Sequence, residues 1–470
     1  MLTSTQVLPL FGGGAWFAAS SPLVSDVVAP AEGDILARVP WATEHDVDAA
    51  IRRLADHDPH SIPTLDARLA RVDALHAALT ARREEWSDLV AREAGLTRAA
   101  ADAEVDDALR GVARAGEEAR TLERPRAAPH APGTRARCVP IGTVAALLPA
   151  SHPASEPASH IARALAIGAP LIVKPSIHAA FSAQWLVDVA HGVGLPPGAL
   201  ALVHGDRDTA DALVDHPEVA AVSIAGPRDI ASPVAARALA RGLRVHQRAP
   251  RRVVVWVGPD ANLDCIARHL TDALLGPPAG RGLLPIHVLA HPTVEDALAE
   301  RLDAAAAMRD DPFTVRSNAA YAILDALAAA YPRRDVRGRT MGDPSTGWRR
   351  IPLALHDETC SGPSLGVTTA GLPVVFTSPT RTREDVLAAL RHWPVVDEVA
   401  LAGHADGTQA AVAGLASIPL VTVDVPLDGA ALAPARATDT TPFCEVAPEM
   451  RLMTRSLYVG SRPGGTPPPS

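Results

Sequence analysis

Lysine is all but missing from this 470-residue chain, where 43 of the 44 basic residues are arginine and one, Lys174, is lysine. A coding bias toward arginine explains the 43, because solvated cations exchange freely at a surface. It does not explain the exception. A compact ammonium and a planar guanidinium are not interchangeable inside a fitted pocket, so Lys174 is a candidate for a specific contact, with chance survival as the alternative. Cysteine is scarce as well. Cys138, Cys265, Cys360 and Cys444 are far apart and form no CxxC or Cys/His spacing, so neither a metal site nor a disulfide framework is implied. No stretch approaches the roughly 20 apolar residues that span a bilayer. The opening MLTSTQVLPLFGGGAWF lacks the basic start and unbroken apolar run of a signal peptide, which leads us to expect a cytoplasmic protein without a membrane partner. The net charge of −9 is spread through mixed acidic and basic residues. That leaves no basic stripe for a phosphate backbone, and nucleic acid is not an expected partner.

What the chain does contain is ample apolar material, 47% of its residues, over a length that suits two or three domains. From about residue 140, short β-rich runs alternate with amphipathic stretches: GTVAALLP, PASHIARALAIG, PLIVKPS, FSAQWLVDVAHGV, ALALVHG, DTADALVDH, VAAVSIAG and DIASPVAARALARG. This alternation predicts an α/β fold, a Rossmann-type parallel sheet with helices on both faces. Residues 45–120 carry a helical period with interspersed charges, which predicts two or three scaffold helices packed on that sheet. The stretch RPRAAPHAPGTRARCVP at 124–140 breaks both periods and reads as an exposed arm or hairpin. A second alternating region spans about 251–425, and the closing RPGGTPPPS is expected to be disordered.

Four successive segments, PIGTVAALLPASHP, ALAIGAPLIVKPS, GVGLPPGALALVHGD and HPEVAAVSIAG, resemble the cofactor-binding half of aldehyde dehydrogenases in order, content and spacing. The opening FGGGAWFAASSPLVSDVVAPAEGDILARVPWATEHDVDAAI resembles that family's first strands and helix, and MTRSLYVG its closing strand. The resemblance implies an aldehyde dehydrogenase-like architecture in three parts. A nucleotide-binding domain would occupy 1–123 and 141–248, and a catalytic-type α/β domain 249–430. The oligomerisation arm and C-terminal strand would be 124–140 and 431–462, with a tail at 463–470.

In that family a thiolate attacks the aldehyde, an asparagine amide helps hold the oxyanion, a nicotinamide takes the hydride and a carboxylate activates water. By position, the general-base segment falls on Arg248, Ala249, Pro250, Arg251 and Arg252, the base itself on Arg248. A guanidinium cannot accept a proton. The nucleophile falls on Gly282, and the nearest cysteine, Cys265, is expected on the polar side of a helix with Arg268 and Asp272. The oxyanion-holding asparagine falls on Ser151, whose hydroxyl still donates but from a shorter stem, and His152 beside it lies in the same cleft. No catalytic residue is therefore expected, Gly282, Arg248 and Ser151 being degenerate positions.

The cofactor end is expected to be better kept. Lys174 and Ser176 fall where the family meets the adenosine ribose, although VKPS also reads simply as the end of a buried strand whose lysine holds a local turn. The family's acidic ribose partner is Ile177 here. The phosphate-facing turn is Ile224, Ala225, Gly226 and Pro227, with Pro227 expected at the first helical position and Arg228 supplementing the free N–H groups. Glu358 corresponds to a ribose-binding glutamate across a one-residue insertion that also holds Cys360. The site residues expected to contact NAD or NADP, weakly if at all, are thus Lys174, Ser176, Gly226, Arg228 and Glu358. With three tyrosines and six phenylalanines, the family's aromatic substrate tunnel is hard to build. The eighteen histidines show no HExxH motif, so most are expected to be solvated or capping.

Three readings stand at this level. One is an inactive homologue serving as structural or regulatory partner, in a homo-oligomer or a hetero-oligomer with an active aldehyde dehydrogenase. Another is an NAD(P)-dependent oxidoreductase that acts on aldehydes through an atypical site. The last is a nucleotide or small-acid binding module whose cleft Arg248, Arg251 and Arg281 make electropositive.

Overall fold

The computed structural model describes residues 6–55, 63–124, 126–127, 134–249, 253–275, 286–307, 313–314, 349–350, 353–356, 374–392, 396, 398–403, 420–423 and 454–460. The N-terminal hairpin pairs β1 (Leu10–Gly12) with β2 (Ala15–Phe17). Its turn needs Gly13 and Gly14, whose φ angles of 64° and 74° a side chain would strain. A second antiparallel pair follows, β3 (Val24–Val28) with β4 (Ile35–Pro40). Next come α1 (Glu44–Ala55), α2 (Leu65–Ala81), α3 (Arg83–Ala94) and α4 (Arg98–Glu123), four helices where two or three were expected.

After β5 (Arg126–Ala127) and β6 (Thr134–Pro140), strand and helix alternate as the residue pattern requires. The run is β7 (Thr143–Leu148), α5 (Ser155–Ile167), β8 (Leu171–Pro175), α6 (Ala180–Gly192) and β9 (Leu200–Leu202). It continues through α7 (Arg207–Asp215), β10 (Val219–Ala225), α8 (Arg228–Ala240) and β11 (Arg244–Arg248). The sheet order is β11-β10-β7-β8-β9-β1-β2, with β7 to β11 parallel and β1 antiparallel to β9. Strands covered on both faces need apolar residues at every position, and all six residues of β7 are buried.

Alternate residues of those strands enter separate cores. Val144, Val173 and Leu202 pack with Val72 of α2, Trp86 of α3, Val105 of α4, Ile161 of α5 and Leu186 of α6. Ala145, Ile172 and Val203 pack on the opposite face with Ile51 of α1, Leu213 of α7 and Val234 of α8. The residues 45–120 are therefore split between the two faces, α1 parting from the helices that follow it. Each large side chain buried this way contributes about 1.5–3 kcal/mol. Two carboxylates of the helical layer fix the helices that frame the site. Glu104 accepts from Ala154 N, Ser155 N and Ser155 Oγ at 2.8–3.2 Å, and Glu93 accepts from Phe181 N and Ser182 N at 2.7 and 2.8 Å. Those N–H groups open α5 and α6 and have no partner within their helices.

The second half is another parallel sheet. Its elements are β12 (Val253–Val257), α9 (Leu263–Leu275), β13 (Ile286–Ala290) and α10 (Pro292–Ala307). There follow β14 (Phe313–Thr314), β15 (Arg349–Arg350), β16 (Leu353–His356), β17 (Val374–Pro379) and α11 (Arg383–His392). The described chain closes with β18 (Glu398–Ala402), β19 (Leu420–Val423) and β20 (Thr454–Gly460). The order β16-β17-β13-β12-β18-β19 is parallel throughout. β20 runs antiparallel along the whole of β6, from Thr454 opposite Pro140 to Gly460 opposite Thr134, and β5 completes a three-stranded sheet. The expected arm thus meets the expected closing strand. The tail at 463–470 lies outside the described residues. Among those described, no helix is long and apolar enough to cross a membrane.

Candidate functional site

The chain runs outward from β7 through β8 to β9, then returns to the other side of β7 as β10 and β11. That reversal makes a topological switch point between β7 and β10, where the connecting helices leave to opposite faces and a crevice opens at the carboxyl ends of the strands. All the described candidate residues lie along this edge. Lys174 is next to last in β8, with Ser176 just beyond it; Ser151 and His152 follow β7; Gly226 and Arg228 follow β10; Arg248 ends β11. Lys174 is in register with Leu147, which is in register with Ile224, which pairs with Gln247 beside Arg248. Three strand spacings, about 14 Å, therefore separate the lysine end of the edge from the Arg248 end.

At the Arg248 end, the guanidinium Nη2 pairs with Glu156 Oε1 in the first turn of α5. The Glu156 side chain is 8% exposed and that of Arg248 35%, so the carboxylate is the deeper partner. The expectation of an electropositive cleft is corrected at Arg248, because Glu156 meets its charge. Arg251 and Arg281 lie outside the described residues. Glu156 belongs to a longer chain of polar groups. His160 Nδ1 is 2.8 Å from the backbone oxygen of Glu156 and 3.7 Å from its Oε2, and His160 Nε2 is 2.9 Å from Ser223 Oγ. Ser223 Oγ is in turn 3.3 Å from Nδ1 of His246 on β11. A carbonyl oxygen only accepts, so His160 Nδ1 carries a proton. The Ser223 hydroxyl thus bridges the two rings, between His160 Nε2 and His246 Nδ1.

Ser151 Oγ lies 2.9 Å from His152 Nδ1, both residues half-buried in the loop that follows β7. Gly282 and Glu358 lie outside the described residues, as do Arg252, Cys360 and Cys444. Cys265 sits in the first turn of α9 with its sulfur 3.3 Å from His269 Nδ1. Pro227 is corrected by one residue. It is the N-cap of α8, and Arg228 begins the helix. Gly226 N donates to Arg248 O at 3.0 Å, tying the turn after β10 to the end of β11.

At the other end, Lys174 makes no hydrogen bond or ion pair among the described residues, and burial lowers its pKa to about 8 against a partial opposing pull from Asp206. Asp206 is the N-cap of α7, its Oδ1 accepting from Asp208 N and Thr209 N. His204, directly after β9, is 1% exposed with neither ring nitrogen partnered. Burial, and then the charge of Lys174, push its pKa down to about 3, so it is neutral. The Ser176 hydroxyl accepts from His178 N at 3.3 Å and opens a short 3-10 turn. Lys174 and His204, neither with a hydrogen-bond partner among the described residues, thus both lie at the β8–β9 end of the edge.

Among the described residues His160, His204 and His287 are buried, three exceptions within the expectation that most of the histidines are solvated or capping. Glu156, His160, Ser223, His204 and Asp206 went unread in the sequence. The Glu156 and His160 pair, four apart on one helix, was the available signal. Among the described residues no three His, Cys, Asp or Glu side chains form a metal site.

A doubly wound parallel sheet, followed by a second parallel sheet and an arm paired with a late strand, defines an α/β architecture of Rossmann type. The aldehyde dehydrogenase family profile matches residues 16–313, and the chain belongs to that family. Malonate-semialdehyde dehydrogenase 1 of Geobacillus thermodenitrificans is 32% identical over 310 residues, 65% of this chain and 64% of that protein. Malonate-semialdehyde dehydrogenase 2 of Geobacillus kaustophilus is 31% identical over the same shares. The chain thus covers a little under two thirds of the length of these curated relatives. Solved structures extend the likeness of fold. Methylmalonate-semialdehyde dehydrogenase of Oceanimonas doudoroffii is 18% identical with a TM-score of 0.79, covering 98% of this chain and 99% of that one. An aldehyde dehydrogenase of Pseudomonas syringae, solved with NAD+ and octanal, is 19% identical with a TM-score of 0.78 over 96% of each chain.

Proposed function

We propose that this chain keeps the aldehyde dehydrogenase fold without acyl-transfer chemistry, acting as a structural or regulatory subunit alone or beside an active aldehyde dehydrogenase in the cytoplasm. The observation that carries the reading is the Arg248 guanidinium resting on Glu156 where the family's water-activating carboxylate is expected. A guanidinium takes no proton, and the nearby carboxylate is committed to it. Lys174, Ser176, Gly226 and Arg228 are the residues that would hold a nucleotide, with Glu358 as a further contact, and binding of NAD or NADP would be weak. A bound nicotinamide would supply a hydride acceptor. The protein's own part would be confined to binding and orientation.

A second reading is favoured by the curated relatives, whose names specify malonate semialdehyde. In it, the chain oxidises a short acid-bearing aldehyde through an atypical site. Calorimetric titration of the full chain with NAD and NADP, run beside an assay with malonate semialdehyde, separates the two. Nucleotide binding without turnover supports the first; catalytic turnover supports the second.

A further inference from the structure

We propose that Cys265 and His269 on α9 form a bidentate chelate for a soft divalent cation of the zinc type, a site that neither reading of function uses. The inference rests on two metal-ligating side chains placed one helical turn apart and left accessible.

Residues four apart on a helix share a face. The buried face of α9 is Ile266, Ala267 and Leu270, packed with Val255 of β12, Val288 of β13 and Leu298 of α10, which leaves Cys265 and His269 together on the half-buried side. Asn262 fixes the start of the helix, its Oδ1 accepting from Cys265 N at 3.0 Å. Arg301 of α10 holds the neighbouring Asp264 at 2.7 Å. The free Cys265 thiol then lies 3.3 Å from His269 Nδ1, and neither side chain has another partner among the described residues. Exposed Asp264 and exposed Arg268 flank the pair with opposite charges. The spacing went unread in the sequence because it carries two ligands, not the four of a structural zinc site.

The distance suits a metal. A tetrahedral zinc with Zn–S of about 2.3 Å and Zn–N of about 2.0–2.1 Å sets its sulfur and nitrogen about 3.5 Å apart. The 3.3 Å separation has to open by only about 0.2 Å, a side-chain adjustment that leaves the helix in place. Sulfur and Nδ1 share a proton in their present contact. On binding, that proton leaves to solvent, the lone pairs of sulfur and Nδ1 bond to the metal, and the ring keeps its proton on Nε2. Thiolate and imidazole together select zinc over magnesium or calcium, which take oxygen donors. Among the described residues no third His, Cys, Asp or Glu joins the pair, and water or a small ligand would take the remaining tetrahedral positions.

Cobalt is the probe, because its sulfur-to-metal charge-transfer absorption reports thiolate ligation that zinc leaves invisible. Reduced full-length chain is titrated with cobalt chloride and then with zinc chloride as competitor, beside Cys265→Ala and His269→Ala. We expect a saturable band in the parent that zinc abolishes, and no band in Cys265→Ala. In His269→Ala the affinity should fall at least about tenfold, since losing even an outer-shell partner of a metal costs about 10–100-fold. Zinc should also slow iodoacetamide alkylation of Cys265 in the unaltered chain, read at that residue by mass spectrometry apart from the other three cysteines. The proposal is overturned by a parent that gives no band, by a band that survives Cys265→Ala, by equal affinity in His269→Ala, or by alkylation of Cys265 that zinc does not slow.

Discussion

The Arg248 guanidinium at the end of β11 and the Glu156 carboxylate in the first turn of α5 form an ion pair across the crevice of the doubly wound sheet. Removing one partner of a fully buried pair costs about 3–5 kcal/mol, because the other charge is stranded. Arg248 is 35% exposed, so solvent screening reduces the expected cost to about 1–3 kcal/mol. Glu156→Gln and Arg248→Met should each lower urea stability by that amount, and the double variant should lose less than their sum. Purely additive losses would mean the two side chains do not interact. Arg248→Glu should be worse than either, because it sets two carboxylates face to face.

Ser223→Ala interrupts the polar chain from His246 to His160 and removes the hydroxyl that His160 Nε2, on a residue 1% exposed, meets at 2.9 Å. The expected loss is about 1–3 kcal/mol. Nitrogen-15 spectra of the imidazoles should show His160 protonated at Nδ1 in the parent and in the variant, since the backbone oxygen of Glu156 still holds that proton. Unchanged stability would show that the serine hydroxyl does not satisfy this ring.

Lys174 is more acidic in the folded chain, near 8, than at its ordinary 10.5. Between those values the unfolded chain binds the extra proton, so stability rises with pH across this window. The cost of burying the charge is present in full below pH 8. It amounts to at most about 3 kcal/mol. Lys174→Met should be more stable than the parent at neutral pH, with the gap closing by about pH 10.5. A gap that does not change with pH would contradict the depressed lysine.

His204 gives the matching effect in acid. Its folded pKa near 3 lies below the ordinary 6.5, so its contribution is present above pH 6.5 and is lost as pH falls toward 3. The unfolded chain takes up one more proton in that window, a slope of about 1.4 kcal/mol per pH unit. His204→Met should unfold less steeply with acid than the parent, and equal slopes would mean that His204 is already protonated in the fold.

The parallel core was legible because strands such as Thr143–Leu148 and Val253–Val257 are apolar at every position and alternate with helical periods. The parting of α1 from α2–α4 was not, since amphipathic spacing says that a helix has a buried face and not which side of a sheet receives it. Lys174 stood out by its rarity. Glu156 and His160 did not, because what defines them lies far along the chain: His160 meets Ser223 63 residues away, and Glu156 meets Arg248 on a different strand. His204 read as unremarkable because its burial depends on the chain leading into α1, whose Ala42 N donates to the His204 carbonyl at 3.0 Å.

The most direct measurement is NAD(P)H formation by the purified full-length chain given malonate semialdehyde and each nucleotide. With Arg248 held on Glu156, we expect no product above the uncatalysed background for either cofactor. Sustained formation of many equivalents per chain would show that a working base and nucleophile exist elsewhere in the crevice.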